Sequence, residues 1–206
     1  MIAGFRKSTM AQFNYPSIMR SIASSPMGRK RVQTVAKAKF DLAHQLLLED
    51  FDTHPVTQEI KAGPLTSNIS DTLGNNADLF SFIGFENGSS PTEELRNVLE
   101  TQVELKQPIL KRVGGNQLSF EWKVKEPIES IRRATPMPWE GGKSWAEGIE
   151  KGISGFGSFM RSFFSATSRS GGGVQVKNQV RGAQFKTRPY ISELFDKLAA
   201  AFGRKR

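Results

Sequence analysis

Residues 103–125 are patterned as a β-hairpin that cannot be stable on its own. Leu118, Phe120, Trp122 and Val124 alternate with Ser119, Glu121, Lys123 and Lys125, and Val103, Leu105 and Ile109 alternate along the run before them. Gly114-Gly115-Asn116 supplies the turn between the two runs. Alternation of period two gives one apolar and one wet face. A two-stranded ribbon is marginal in water, so the apolar face needs cover from helices of the same chain or from a neighbour.

Several helical patterns can provide that cover. Val32, Ala36, Phe40, Ala43 and Leu47 recur at three- and four-residue spacing within 29–50, and Val35, Leu42 and Leu46 widen the stripe. Near the C-terminus, Pro189 to Phe202 carries Ile191, Leu194, Phe195, Leu198 and Phe202 on one face. Between them, Ser90-Pro91-Thr92-Glu93 reads as a capping box opening a helix that buries Leu95, Val98 and Leu99. The expected fold is α+β: a small antiparallel sheet with a long hairpin, packed by an N-terminal and a C-terminal helix.

At 206 residues the chain suits one domain with extensions. Residues 1–28, punctuated by Pro16, Pro26 and Gly28, read as an extended basic arm, and 29–206 as a single α+β domain with a Pro/Gly-rich insertion at 127–173. Val56 to Ile60 alternates as a short strand, and Leu79 to Phe85 reads as a buried strand or turn. Residues 127–143 read as an irregular Pro-rich crossing. A glycine-rich helix follows over Ser144 to Ala166, opened by a second capping box from Ser144 to Glu147. Gly171-Gly172-Gly173 reads as a linker, Val174 to Val180 as a strand and 203–206 as a basic tail.

Charge is partitioned along the chain. Residues 1–40 hold eight Lys or Arg and no acid, 41–150 hold ten bases and eighteen acids, and 151–206 hold eleven bases and two acids. The net charge of +9 therefore conceals basic ends around an acidic middle. Such ends suit nucleic acid, where each cation near a phosphate releases counterions, or a second copy whose acidic middle attracts them. In the helix read over 29–50 the bases come first, and Glu49, Asp50 and, just beyond it, Asp52 come last, the reverse of what the helix dipole favours. That order points to a binding role. The acid-free first 40 residues also have the composition of a mitochondrial transit peptide.

Catalytic equipment is sparse. There is no cysteine, and His44 and His54 are the two histidines. Disulfides, thiolate metal sites, Cys nucleophiles and three-His zinc sites are thereby excluded. No apolar run approaches the roughly 18 residues of a membrane span. Gly141-Gly142-Lys143-Ser144 has the end of a phosphate loop but not its first glycine: Met137 stands there, followed by Pro138, which offers no N–H. Gly155-Phe156-Gly157 lacks the third glycine of a dinucleotide loop, and Gly152-Ile153-Ser154-Gly155 is not a nucleophile elbow. His44 reads as a core-edge residue, and His54, near Asp52 and Glu59, has no nucleophile beside it. The helix over 144–166 reads as a core or interface helix ahead of a membrane-active one. No enzyme, cofactor or metal is expected.

One order of features carries a resemblance. A long helix from Val32 to Glu49 is followed by the turn His54-Pro55-Val56-Thr57 and by Gly63-Pro64-Leu65 leading to Ile69. Then come the apolar Leu79 to Phe85, ending in Gly-Phe, and a closing helix from Arg188-Pro189-Tyr190-Ile191 to Phe202. This order resembles the tail-completion, or head–tail joining, proteins of tailed bacteriophages, over about two-thirds of the chain. The resemblance implies a small α+β subunit without catalysis, located in the virion neck or tail and assembled in the host cytoplasm. Its partners would be copies of itself in a ring (a hexamer favoured, a dodecamer possible), other neck and tail proteins, and DNA passing through the channel without sequence-specific binding. No membrane is involved. The expected assembly residues are Arg6, Lys7, Arg20, Arg29, Lys30 and Arg31 of the basic arm and Lys111, Arg112, Lys123 and Lys125 of the hairpin. The alternative reading is a basic nucleic-acid-binding protein, organellar or ribosome-associated.

Overall fold

The computed structural model describes residues 15–73, 78–114, 117–138, 140–152 and 185–202. In chain order they form α1 (Tyr15–Ser24), α2 (Pro26–Thr53), α3 (Pro55–Ala62), α4 (Leu79–Ile83), α5 (Pro91–Gln102), β1 (Glu104–Leu105), β2 (Ile109–Gly114), β3 (Gln117–Glu121), β4 (Val124–Lys125), α6 (Ile128–Ala134), β5 (Pro136–Met137), β6 (Glu140–Ser144), α7 (Trp145–Lys151) and α8 (Ile191–Ala201). The fold is α+β, with small two-stranded sheets pairing β1 with β4, β2 with β3 and β5 with β6. The chain divides into two compact units, one formed by the residues up to Ala38 with Leu105–Lys123, the other by Lys39–Glu104 with the chain from Val124 onward. α2 is one unbroken helix contributing to both.

In the first unit, α1 ends and α2 begins around Ser25. The Ser25 hydroxyl donates to Ile22 O at 2.7 Å and accepts from Gly28 N at 3.0 Å. This is an N-cap that lets the second helix start where the first stops. A Cβ on Gly28 would lie 2.1 Å from Ile22 O, so the elbow requires glycine. β2 and β3 pair antiparallel from Ile109 opposite Glu121 to Gly114 opposite Gln117, with a bulge between Leu110 and Arg112.

The second unit holds the larger core. Phe40, Ala43, Leu47 and Phe51 of α2 are buried with Val56 and Ile60 of α3, Leu95 and Leu99 of α5, Ile149 of α7 and Leu194 and Leu198 of α8. An aromatic file runs through it: Phe85 meets Trp145 edge-on at 5.8 Å, Trp145 stacks on Tyr190 at 6.2 Å, and Tyr190 on Phe51 at 6.3 Å.

The structure corrects several expectations. Residues 15–28 are helical rather than an extended arm. Pro16 and Pro26 stand in the first turns of α1 and α2, where proline lacks nothing the helix needs. Val56–Ile60 is helical, because His54 caps α3 and Pro55 presets its first turn. Leu79–Ile83 is a buried helical turn, capped by Asp78 and ended by Gly84 in the left-handed region at φ 83°. Where an irregular crossing was expected over 127–143, the described residues form α6 and the paired strands β5 and β6. Ser90 precedes α5 without a side-chain cap bond, whereas Ser144 does cap α7, accepting from Glu147 N at 3.2 Å. α7 stops at Gly152. The expectations for 153–166, 171–173, 174–180 and 203–206 lie outside the described residues. Ile109 is exposed, and Leu110, not Ile109, stands opposite Phe120. The three residues between β1 and β2 break the phase that links Leu105 to Ile109.

Candidate assembly surface

Among the described residues, the basic start of α2 is the largest run of charge without an ion pair. Arg20 of α1 and Arg29, Lys30 and Arg31 of α2 are all exposed. Among the described residues, none of the four forms an ion pair. Arg6 and Lys7 lie outside the described residues.

Acidic residues of the second unit are, by contrast, largely answered within it. Asp52 receives Lys61 Nζ at 2.8 Å and Arg96 Nε at 3.1 Å. Partial burial pushes the Asp52 pKa up, but these two cations outweigh that and hold it below the usual carboxylate range. Glu147 binds Arg132 through both oxygens at 3.0 and 3.1 Å and is also reached by Lys151, which keeps its carboxyl low. Asp71 pairs with Lys186 at 3.0 Å and Asp50 with Lys197 at 3.6 Å.

Hairpin cations are partly occupied at home. Lys111 bridges to Glu121 at 2.8 Å and Lys125 to Glu104 at 3.4 Å. Both pairs are exposed, where such contacts contribute on the order of 1 kcal/mol or less. Lys123 is exposed, while its backbone carbonyl accepts from Lys106 N at 2.8 Å. Arg112 pairs through its backbone with Ser119. The structure therefore brings the four α1–α2 cations forward as unpaired and leaves the hairpin set less so.

The segment around Arg188 is a clasp. Arg188 Nη1 donates to Ser70 O at 2.7 Å, and its backbone N donates to Ile149 O at 3.1 Å. Tyr190 is fully buried, its hydroxyl 2.8 Å from Thr57 Oγ1, and burial pushes its phenol pKa up. Glu150 Oε1 accepts from Tyr190 N and Ser192 N at 3.1 and 2.6 Å, capping the start of α8.

A buried polar network sits behind it. Glu59 accepts from Asn68 Nδ2 at 3.0 Å, Leu79 N at 2.8 Å and Ser70 N at 2.7 Å, all inside the core. Asn68 Oδ1 in turn accepts from Leu73 N at 3.1 Å. Sequence reasoning missed Glu59 and Asn68 as organisers, since their partners are loop amides with no sequence signature.

Both histidines are structural. His44 stacks on Phe40 and bonds Leu99 O through Nε2 at 2.8 Å, as a core-edge residue does. His54 Nδ1 accepts from Val56 N at 3.2 Å. Its neighbouring carboxylate is Glu193, at 3.7 Å, rather than Asp52 or Glu59. That separation is too long for a hydrogen bond, and Nε2 is buried without a partner. Desolvation lowers the His54 pKa, more than the nearby Glu193 charge raises it.

Gly141 to Ser144 belongs to strand β6, with Pro136 opposite Ser144. It is a hairpin strand and not a phosphate loop. Among the described residues no acidic or histidine cluster has metal-binding geometry, and no helix is long and apolar enough to cross a membrane. Comparison with family models, curated proteins and solved structures gives no match.

Proposed function

We propose that this chain is a non-enzymatic structural subunit of a tailed-bacteriophage neck or tail, a head–tail joining, tail-completion or terminator protein that assembles as a ring. The observation that supports this most is the contrast between the unpaired cations of α1 and α2 and the internally paired acids around Asp52 and Glu147. A surface charge left over after folding is available to a neighbour. The buried polar groups of Glu59, Asn68 and Tyr190 are spent on holding loops and α8, which suits a scaffold. In the proposed setting the neighbours are copies of the chain, hexameric or dodecameric, and other neck and tail proteins, with DNA passing through the channel.

The same cations favour a second reading, a basic nucleic-acid-binding protein. Light scattering on the size-exclusion eluate separates the two. The first reading expects defined oligomers or rings. The second expects a monomer whose affinity for RNA or DNA falls steeply with salt, and that result would replace the ring.

A further inference from the structure

We infer that α2 pairs antiparallel with α2 of a second copy through its outward face. The residues are Arg31, Val35, Ala38, Leu42, Gln45 and Glu49, all exposed. They follow one another at spacings of four, three, four, three and four, which is the heptad seam of a coiled coil. The core face of the same helix is a different stripe, made of Ala36, Phe40, Ala43, Leu47 and Phe51. Val35 is 68% and Leu42 62% exposed, so α2 carries an apolar seam that the described residues leave uncovered.

Two complementarities in the seam select the occupant. It is symmetric about Phe40. In an antiparallel pair centred there, Arg31 faces Glu49 of the second copy, Val35 faces Gln45, and Ala38 faces Leu42. Small meets large in the central layers, and an Arg–Glu pair closes each end. A parallel pair would instead set Arg31 against Arg31 and Glu49 against Glu49. Neither side chain forms an ion pair among the described residues. The antiparallel arrangement also accounts for the reversed charge order of α2: the acidic end of each helix lies beside the basic start of the other, where dipole and charge both favour it.

From Arg31 to Glu49 the seam is about 27 Å long at 1.5 Å per residue. One helix pair of that length falls short of the ~1,600 Å² of a standard stable interface, so the pairing is concentration-dependent. The inference rests on the self-assembly in the proposed function and adds to it. A twofold contact closes at two copies, so it pairs subunits in solution, while a ring whose two faces meet different neck and tail proteins needs a separate head-to-tail contact.

The chain lacks cysteine, which makes introduced thiols unambiguous. Val35→Cys and Gln45→Cys proteins, mixed under mild oxidant where the wild type self-associates, should give a covalent dimer on non-reducing gels. Either protein alone should not, since like positions lie about 15 Å apart along the axis, beyond disulfide reach. Arg31→Glu or Glu49→Arg should each weaken self-association about tenfold. Combining both in one chain should restore it, which a purely structural role would not do. If the wild type self-associates yet the mixture fails to cross-link, or cross-links no better than either variant alone, the pairing is wrong and the proposed function stands. A wild type that remains monomeric at every concentration overturns both.

Discussion

Glu59 carries no exposed surface, and its carboxylate is the acceptor for three N–H groups, two from the Asn68–Ser70 loop and one from the start of α4. Removing it leaves those donors buried and unpaired. Glu59→Ala should therefore cost on the order of 3 kcal/mol or more, read as a lower urea midpoint with an unchanged slope. A variant within 1 kcal/mol of wild type would show that water replaces the carboxylate freely. His54 gives a pH dependence. Its pKa is depressed in the folded chain by burial, so below the ordinary value of about 6.5 the unfolded chain binds the proton more readily. Stability is then fully present above that value and declines as pH falls below it. His54→Asn keeps an N-cap acceptor and loses the titration. Its stability should be flatter between pH 7 and pH 5 than that of the wild type. Little of this was legible in the sequence. Glu59 lies within an alternating run that resembles a strand, and its partners are the Asn68 side-chain amide and two backbone amides, nine to twenty positions away. His54 was readable as part of a turn, but its carboxylate neighbour Glu193 comes from the far end of the chain.

The elements that sequence periodicity made visible are those with one strong face: α2, α5 and α8 were expected and are present. Short elements were misread because their caps, rather than their periodicity, decide them. Val56–Ile60 and Leu79–Ile83 both contain alternating or continuous apolar residues, yet His54 with Pro55 and Asp78 with Gly84 close each into a helical turn. In the sequence Pro16 and Pro26 punctuate the segment as an arm would be punctuated, whereas each stands in the first turn of a helix. The α1–α2 elbow can be broken on its own. Gly28→Ala would drive a methyl into Ile22 O, so the elbow must open. Backbone amides around Ser25 and Gly28 should exchange at least tenfold faster, a decrease of about 1.4 kcal/mol in opening free energy, while amides of α5 and α8 remain unchanged. Uniform acceleration across the chain would mean the elbow supports the whole fold. The clasp makes a parallel case at α8. Glu150→Ala removes the acceptor for two amides at its start and should cost about 1–2 kcal/mol, measured by thermal unfolding.

At the scale of the molecule, the partition of charge that was legible in the sequence reappears as a partition of ion pairs. Asp52, Asp71 and Glu147 have found cations within their own unit, whereas Arg29, Lys30 and Arg31 remain in water. What composition could not reveal is which acids stay available, because pairing depends on the fold; Glu49 is exposed at the end of the seam while Asp52 is already held by two cations. Reversing Arg29, Lys30 and Arg31 to Glu should leave the fold intact, as all three are exposed. It should slow self-association, since complementary patches act mainly on encounter rate and register. The slowing should be greatest at low ionic strength and fade as the Debye length shrinks from about 30 Å at 0.01 M to about 8 Å at 0.15 M. Stopped-flow light scattering over a salt series reads this directly. Charge reversal of Glu49 in the same chain should recover part of the rate, while reversal of Asp52, whose partners are Lys61 and Arg96, should recover none. If the triple variant assembles at the wild-type rate but no longer retains DNA, the basic face serves phosphate rather than a second copy, and the nucleic-acid reading takes the place of the ring.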